Sequence, residues 1–153
     1  MRLSEILKEE SIILDVKARD KRGVIEELAE AIVSRETSLD KSALVKGLLE
    51  RERLGSTGIG EGIAIPHGKF YGVSQLTISF GRSLKGLDFE SIDGKPAFLF
   101  FVLVAPQNCD GMHLKALAKL AKILNTSSLR ELLMEIPTRK ELYQAIIQDD
   151  QAF

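Results

Sequence analysis

The sequence has few of the residues on which several classes of protein depend. It contains one cysteine, Cys109, so no internal disulfide can form, which fits a reducing cytoplasm. This cysteine is either a reactive thiol or, as is more common, an ordinary loop or helix-start residue. No apolar run approaches the roughly 20 residues needed to cross a bilayer. The first residues lack the apolar core of a signal peptide. We therefore expect a soluble, cytoplasmic protein with no membrane span.

Charge and metal-binding residues are also limited. The 21 basic and 22 acidic residues give a formal net charge of -1, which argues against non-specific binding of nucleic acid. The two histidines and the single cysteine show none of the spacings of a metal site. The P-loop motif, in which Gly-Lys-Ser/Thr follows a glycine and four residues, is missing as well. We expect no metal, no cofactor and no nucleic-acid partner.

Hydrophobic periodicity in the first part of the chain predicts alternating strands and helices. Residues 12–16 read as a short strand, and residues 21–34 as an amphipathic helix. A second helix begins after Asp40, its predicted N-cap, and ends near Arg53 before a glycine. Residues 75–80 alternate between polar and apolar, which predicts a half-buried strand.

The second part of the chain completes an α/β pattern. Residues 97–104 are apolar throughout, which predicts a central strand covered on both faces and therefore helices on both sides of the sheet. Two capping-box patterns, at Ser128 and Thr138, predict short C-terminal helices. Another helix precedes them, with a predicted apolar stripe of Leu114, Leu117, Ala121 and Leu124. The predicted fold is a single α/β domain over residues 1–153, a mixed β-sheet with helices packed on both faces.

The segment from Arg51 to Lys69 is the most informative in the chain. Glycines at positions 55, 58, 60 and 62 precede a short apolar run, and such loops let backbone N–H groups approach an anion. Pro66 fixes its own φ and favours an extended conformation in the residue before it. His67 follows directly, so we expect its imidazole to be held at a stiff strand end where another molecule can reach it.

A reachable imidazole is suited to nucleophilic chemistry. Its ordinary pKa is about 6.5, so the neutral, nucleophilic form is present near pH 7. Attack on phosphorus would give a phosphoramidate that can be passed to another molecule, and Arg51, Arg53 and Lys69 supply positive charge nearby. Residue types alone do not decide between this role for His67 and that of a plain turn histidine.

The same segment resembles the active-site signature of the type-2 EIIA domains of the phosphoenolpyruvate-dependent phosphotransferase system (PTS), the fructose/mannitol family. The similarity spans nearly the whole chain. Two segments, Gly55–Gly60 and Glu141–Gln144, resemble the nitrogen-regulatory branch of the family. Further matching segments are Leu48–Glu52, Asp93–Pro96 and His113–Leu120.

This resemblance implies a function and partners. It implies the α/β fold already predicted, and a phosphotransferase component that takes phosphate from an HPr-like phosphocarrier protein onto Nε2 of His67. The next partner would be a regulatory target protein, as in the nitrogen-type branch, or an EIIB for sugar uptake, as in the fructose-type branch. It also implies that His113 lies beside His67 and that Arg51 holds phosphate through its planar fork.

His113 is expected to be catalytic together with His67 and Arg51, and the other candidates are expected to play smaller roles. His113 follows a predicted N-cap, Asp110, and a helix N-terminus attracts phosphoryl oxygens. Taken alone, a histidine at this position is more often a capping or partly buried residue, and the family resemblance is what favours the site role. Among the weaker phosphoryl-binding candidates, Ser56, Thr57 and Lys69, we expect the hydroxyl of Thr57 to reach the nucleophile or a phosphoryl oxygen. An apolar docking rim is expected from Ile63, Ile65 and Phe70.

Overall fold

The computed structural model describes residues 1–148, which form six α-helices and six strands. The predicted domain also included residues 149–153, which lie outside the described part of the chain. A 3₁₀ turn, Glu9–Ser11, precedes the first strand. The helices are α1 (Leu3–Ile6), α2 (Lys21–Val33), α3 (Lys41–Arg53), α4 (Met112–Leu124), α5 (Ser127–Glu135) and α6 (Arg139–Ile147). The strands are β1 (Ile12–Ile13), β2 (Gly58–Gly60), β3 (Ile63–Ala64), β4 (His67–Phe70), β5 (Thr77–Leu87) and β6 (Ala97–Pro106). Within residues 1–148, no helix has the length and apolar character needed to cross a membrane.

The six strands form one mixed sheet, in which five follow the order β1-β5-β6-β3-β2 and β4 pairs with β6 beside this path. Strand β5 runs antiparallel to β6, whereas β3 and β4 both pair with β6 in the parallel direction. Strands β3 and β4 therefore lie end to end along one side of β6. This confirms the predicted α/β class, and it brings the Pro66–His67 step against the middle of the central strand.

Strand β6 separates two hydrophobic cores. Leu99, Phe101 and Leu103 face the core covered by α1 and α4 to α6, whereas Phe100 and Val102 face the core covered by α2 and α3. Phe101 packs on Phe80 with 4.9 Å between ring centroids, and Phe100 packs on Phe89 with 5.7 Å. The prediction of a central strand with helices on both sides is confirmed, because a strand buried on both faces needs an apolar layer against each.

The helix that leads into the glycine-rich segment begins and ends as predicted. The side chain of Asp40 caps α3 by accepting a hydrogen bond of 3.0 Å from the backbone N–H of Ala43. Gly55, at φ 149°, follows the end of the helix. Thr138 caps α6 in the same way, by accepting from the N–H of Glu141 at 3.2 Å. Side-chain oxygens at these positions satisfy N–H groups that the helix leaves unpaired.

Two strand predictions need correction. The predicted strand over residues 12–16 is reduced to Ile12–Ile13. The strand predicted at residues 75–80 begins at Thr77, and its half-burial is confirmed only as far as Ile78, because β5 is buried throughout from Ile78 to Ser83. Ser79 is fully buried there, and its hydroxyl donates to the carbonyl oxygen of Leu28 at 2.9 Å. A buried hydroxyl with a backbone partner produces the same alternation as a solvent-facing one.

Three helix predictions also need correction. Asp110 is not the N-cap of α4, because it lies in a turn at φ 50° and Gly111, at φ 77°, is the capping residue. Thr126 precedes α5, so the capping box predicted from Ser128 is not formed. Leu114 is 62% exposed, because α4 instead turns the face of Ala116, Leu120 and Leu124 toward the sheet.

Candidate active site

His67 is the first residue of β4 and lies opposite Leu103 of β6. Pro66 separates β4 from β3, and its carbonyl oxygen accepts a hydrogen bond of 2.9 Å from the N–H of Leu103. The proline lacks an N–H, so a break in the ladder at this position leaves no donor unpaired. His67 thus lies at a strand end, as the Pro66–His67 pattern predicted.

One hydrogen bond fixes the protonation pattern of the His67 ring. Its Nδ1 lies 2.7 Å from the carbonyl oxygen of Ile65. A carbonyl oxygen can only accept, so Nδ1 must carry the ring proton. In the neutral ring the other nitrogen, Nε2, then keeps its lone pair. His67 is therefore held in the tautomer that can attack through Nε2.

A cavity of about 210 Å³ lies beside this ring and is formed by α3, β4, β6 and α4. Three basic or titratable side chains, Arg51, Lys69 and His113, line it together with His67. The structure thus brings together four of the predicted site residues from three separate segments. The remaining lining residues are Gly68, Leu103, Leu114 and Leu117.

The environment of the cavity favours the neutral form of both histidines. Burial lowers the pKa of His67, and the charge of Arg51 lowers it further, against the opposing effects of the Ile65 hydrogen bond and Glu52. Partial burial also lowers the pKa of His113, as do the neighbouring Lys69 and His67. Near pH 7 the cavity therefore holds one neutral nucleophilic imidazole and a second neutral imidazole.

The ring of His113 contacts the thiol of Cys109 through its Nδ1 atom. The Cys109 Sγ and the His113 Nδ1 are 3.2 Å apart, so this ring nitrogen is engaged and Nε2 remains for other contacts. The sequence was compatible with Cys109 as a reactive thiol or as an ordinary loop residue. It did not indicate the contact of Cys109 with His113. His113 is the second residue of α4, next to the positive end of the helix.

Arg51 reaches the cavity from the last turn of α3. Its Nη1 donates to the carbonyl oxygen of Gly55 at 3.0 Å, which holds the guanidinium at the end of the helix. Arg53, two residues later, lines a different cleft between α2 and α3. Of the two arginines near the end of α3, only Arg51 lines the cavity beside His67.

Ser56 and Thr57 do not line the cavity. The Ser56 hydroxyl donates to the carbonyl oxygen of Phe89 at 3.1 Å. The Thr57 hydroxyl donates to the carboxylate of Glu52, and the residue is only 4% exposed. Thr57 thus differs from the prediction, because its hydroxyl is occupied by a buried acidic partner.

The glycines at positions 58 to 62 also differ from the predicted anion loop. They build the β2–β3 hairpin, in which Gly60 has φ 92° and Gly62 has φ 79°. A Cβ at Gly62 would lie 3.2 Å from the ring of Phe98, so the hairpin needs glycine there for both reasons. Gly68, by contrast, does line the cavity.

The predicted apolar rim is wrong, because none of its three residues lines the cavity. Ile63 and Ile65 are buried in the core at 1% and 4% exposure. Phe70 packs against α3, where a Cβ at Gly47 would lie only 2.4 Å from its ring. Leu114 of α4 is the exposed apolar residue at the cavity, and the sequence analysis had assigned it to the core.

The described residues hold no metal-binding cluster, since no three His, Cys, Asp or Glu side chains come together among them. The cavity instead offers N–H donors and positive charge around one nucleophilic nitrogen. Such a set of groups suits an anionic group with several oxygens.

The family model for the phosphoenolpyruvate-dependent sugar phosphotransferase system, EIIA 2, matches residues 5–149 of this chain. The chain belongs to the type-2 EIIA family. Two relatives and one solved structure show the two branches to which this EIIA protein is similar.

The nitrogen-regulatory relatives match over almost their full length. The nitrogen regulatory protein of Bradyrhizobium diazoefficiens is 34% identical over 95% of this chain and 95% of its own length. The crystal structure of nitrogen regulatory protein IIA-Ntr from Neisseria meningitidis is 40% identical, with a TM-score of 0.88, and covers 94% of this chain and 98% of its own.

The fructose-specific EIIABC component of Bacillus subtilis is 37% identical over 98% of this EIIA protein. The match covers only 24% of that relative, so the chain corresponds to a fraction of a longer protein. Similarity to both branches agrees with the resemblance found in the sequence.

Proposed function

We propose that this EIIA protein is a phosphoryl carrier that accepts phosphate from an HPr-like phosphocarrier protein on Nε2 of His67. The observation that carries this proposal is the hydrogen bond from Nδ1 to the Ile65 carbonyl oxygen. It leaves Nε2 as the nucleophile, facing a cavity lined by Arg51, Lys69 and His113.

The transfer exchanges one N–P bond for another. The Nε2 lone pair attacks phosphorus, and the bond from phosphorus to the histidine nitrogen of the donor breaks, with its electron pair returning to the donor ring. The Nδ1 proton stays on His67, where the Ile65 carbonyl oxygen stabilises the positive charge that develops on the ring. No general base is required, because Nε2 carries no proton.

The other cavity residues stabilise the phosphoryl group as it moves. Arg51 offers N–H groups beyond the one that binds Gly55, and Lys69 adds a positive charge. His113 donates from Nε2 in the tautomer in which its Nδ1 accepts from the S–H of Cys109. Catalysis then depends on positioning and electrostatics, as in other phosphoryl transfers.

We place the protein mainly in regulation, with phosphorylation of His67 as the input signal. Similarity to nitrogen-regulatory proteins over nearly their whole length supports this role. The alternative is a fructose-type EIIA that passes phosphate to an EIIB for sugar uptake, and the fructose-specific EIIABC relative supports it.

A reconstituted phosphorylation assay tests the carrier role. The wild-type protein is incubated with phosphoenolpyruvate, enzyme I and an HPr-type protein, and the product should be stable to alkali and labile to acid. The His67→Ala variant should take no label, whereas His113→Ala should still take label, more slowly. Full labelling of His67→Ala would refute the proposal.

A second assay separates the two branches. Phosphorylated protein is mixed with a fructose-type EIIB, or with cell extract from which bound proteins are identified by mass spectrometry. The regulatory role predicts slow transfer to EIIB and a target whose binding depends on the state of His67. Rapid and complete transfer to EIIB would favour the transport role instead.

A further inference from the structure

Glu52 is a buried carboxylate directly next to Arg51 in the last turn of α3. It is 7% exposed, and three donors surround its two oxygens. Oε1 accepts from the N–H of Thr57 at 3.0 Å and from Lys21 Nζ at 2.9 Å, and Oε2 accepts from the Thr57 hydroxyl. A buried carboxylate with this many donors is held in one orientation, since losing any donor leaves charge unsatisfied.

A chain of hydrogen bonds connects this carboxylate to the ring of His67. The backbone of Thr57, held on its N–H side by Glu52, accepts through its carbonyl oxygen from the N–H of Ile65 at 3.0 Å. The carbonyl oxygen of Ile65 in turn accepts from Nδ1 of His67 at 2.7 Å. The path from Lys21 through Glu52, Thr57 and Ile65 therefore ends on the nitrogen opposite the nucleophile.

We propose that Glu52 is a positioning residue for His67, acting through Thr57 and Ile65. This inference rests on the proposed function for its effect on phosphoryl transfer, but the hydrogen-bond chain exists in the unphosphorylated protein. Glu52 fixes the position of residue 57, residue 57 fixes the Ile65 peptide, and the Ile65 carbonyl oxygen orients the imidazole. Nε2 is thus aimed into the cavity by a carboxylate that does not line it.

Lys21 completes this arrangement from α2. Its Nζ lies 4.9 Å from the ring centroid of Phe89 and 3.4 Å from the exposed carboxylate of Glu90. Lys21 therefore has two acidic partners, one buried and part of the chain of hydrogen bonds, the other at the surface and outside it. Glu90 thus offers a matched control for Glu52, because replacing either glutamate by glutamine removes one negatively charged partner of Lys21.

The first experiment compares Glu52→Gln with Glu90→Gln by ¹⁵N NMR of the histidine rings, without any PTS partner. Wild-type protein and Glu90→Gln should show His67 with its proton on Nδ1. In Glu52→Gln the Nδ1–H form should lose population. The midpoint of His67 titration should fall, because the charge of Glu52 raises the pKa of His67. Transfer from the phosphocarrier should slow by roughly tenfold to a hundredfold.

A second pair of variants covers the case in which Glu52→Gln fails to fold. Thr57→Ser keeps both donors to Glu52, whereas Thr57→Val keeps the shape and loses the hydroxyl. Thr57→Ser should match wild type in the His67 spectrum and in transfer rate. Thr57→Val should change both in the same direction as Glu52→Gln.

The inference is overturned if folded Glu52→Gln or Thr57→Val loses thermal stability but keeps the wild-type tautomer, titration and transfer rate of His67. That result would make the network purely structural. A wild-type ring with its proton on Nε2 would overturn it as well. Failure of the proposed function gives a different result, namely label on another residue while the NMR response of His67 to Glu52→Gln remains.

Discussion

The Nδ1 atom of His67 donates a hydrogen bond to the carbonyl oxygen of Ile65, two residues earlier, over 2.7 Å. The intervening Pro66 lies in the break between two strands that share one side of β6. Because the N–H of Ile65 donates to the Thr57 carbonyl oxygen and the Pro66 carbonyl oxygen accepts from Leu103 of β6, the acceptor oxygen has a fixed position. The imidazole therefore has one defined orientation before any partner arrives.

Removal of either donor beside His67 should slow transfer without unfolding the protein. Arg51→Ala and His113→Ala each delete a group that would contact the phosphoryl oxygens, and loss of one such donor typically costs about 10² to 10³ in rate. Transfer kinetics measure the rate, and circular dichroism measures the fold.

Arg53→Ala is the matched control for Arg51→Ala. Arg53 lies in the same helical turn but faces another cleft, so this variant should transfer at the wild-type rate. Wild-type rates in both Arg51→Ala and His113→Ala would show that neither residue assists the reaction.

The pH dependence of His67 should reflect its lowered pKa. A histidine with an ordinary pKa of about 6.5 is half protonated at that pH. Because the pKa of His67 is lowered, His67 is mostly neutral there and keeps the Nε2 lone pair that attacks phosphorus. Transfer should therefore fall to half its maximum at a pH below the ordinary value of about 6.5. Arg51→Ala should raise the midpoint, since the charge of Arg51 lowers the pKa of His67.

NMR titration of the His67 ring measures this midpoint directly, free of any titration in the donor protein. A wild-type midpoint above 6.5 would contradict the assigned environment.

Leu114 should contribute to docking of the phosphocarrier. It is 62% exposed at the cavity, where an apolar side chain can be covered by a partner. Leu114→Ser should raise the KM for the donor by about fivefold, the equivalent of about 1 kcal/mol at an interface. Leu132→Ser, at a residue that is 45% exposed but does not line the cavity, should leave KM unchanged. Equal KM values in the two variants would place the docking surface elsewhere.

Phosphorylation should act locally. A phosphoryl group adds about two negative charges at pH 7, so a target presenting acidic or apolar groups should prefer the unmodified protein. His67 begins a strand paired with β6 and His113 lies in the first turn of α4, so little backbone movement is required. Amide exchange should change only around residues 51–70 and 110–117. Widespread changes elsewhere would require an allosteric mechanism.

The sheet and the helices around it follow from periodicity in the sequence. Residues 97–104 predict a doubly covered strand because every position is apolar, and β6 has that environment. The half-buried character predicted for residues 75–80 fails at Ser79, because the Ser79 hydroxyl donates a hydrogen bond to the Leu28 carbonyl oxygen inside the core. Periodicity reports polarity, but a polar side chain with a backbone partner is compatible with the core.

The site was predictable where the family resemblance assigns a residue, and unpredictable where a side chain can bind any of several partners. Arg51, His67 and His113 come together from separate segments, and the family resemblance, not spacing, indicated this. The hydroxyl of Thr57 could bind a ligand or a neighbour, and only the fold shows the neighbour to be Glu52.

The burial of Glu52 did leave a signal in the sequence. It follows Leu44 and Leu48 at intervals of four, on the face of α3 that is buried. An acidic residue at an apolar helical position predicts a buried carboxylate with partners.

The position of the phosphoryl group on the ring tests the central claim most directly. Protein labelled with ¹⁵N in its histidines is phosphorylated through the phosphocarrier and examined by ¹⁵N and ³¹P NMR. We predict phosphorus bonded to Nε2 of His67, with Nδ1 still protonated toward Ile65. Phosphorus on Nδ1 of His67, or on His113, would contradict the assignment of nucleophile and tautomer.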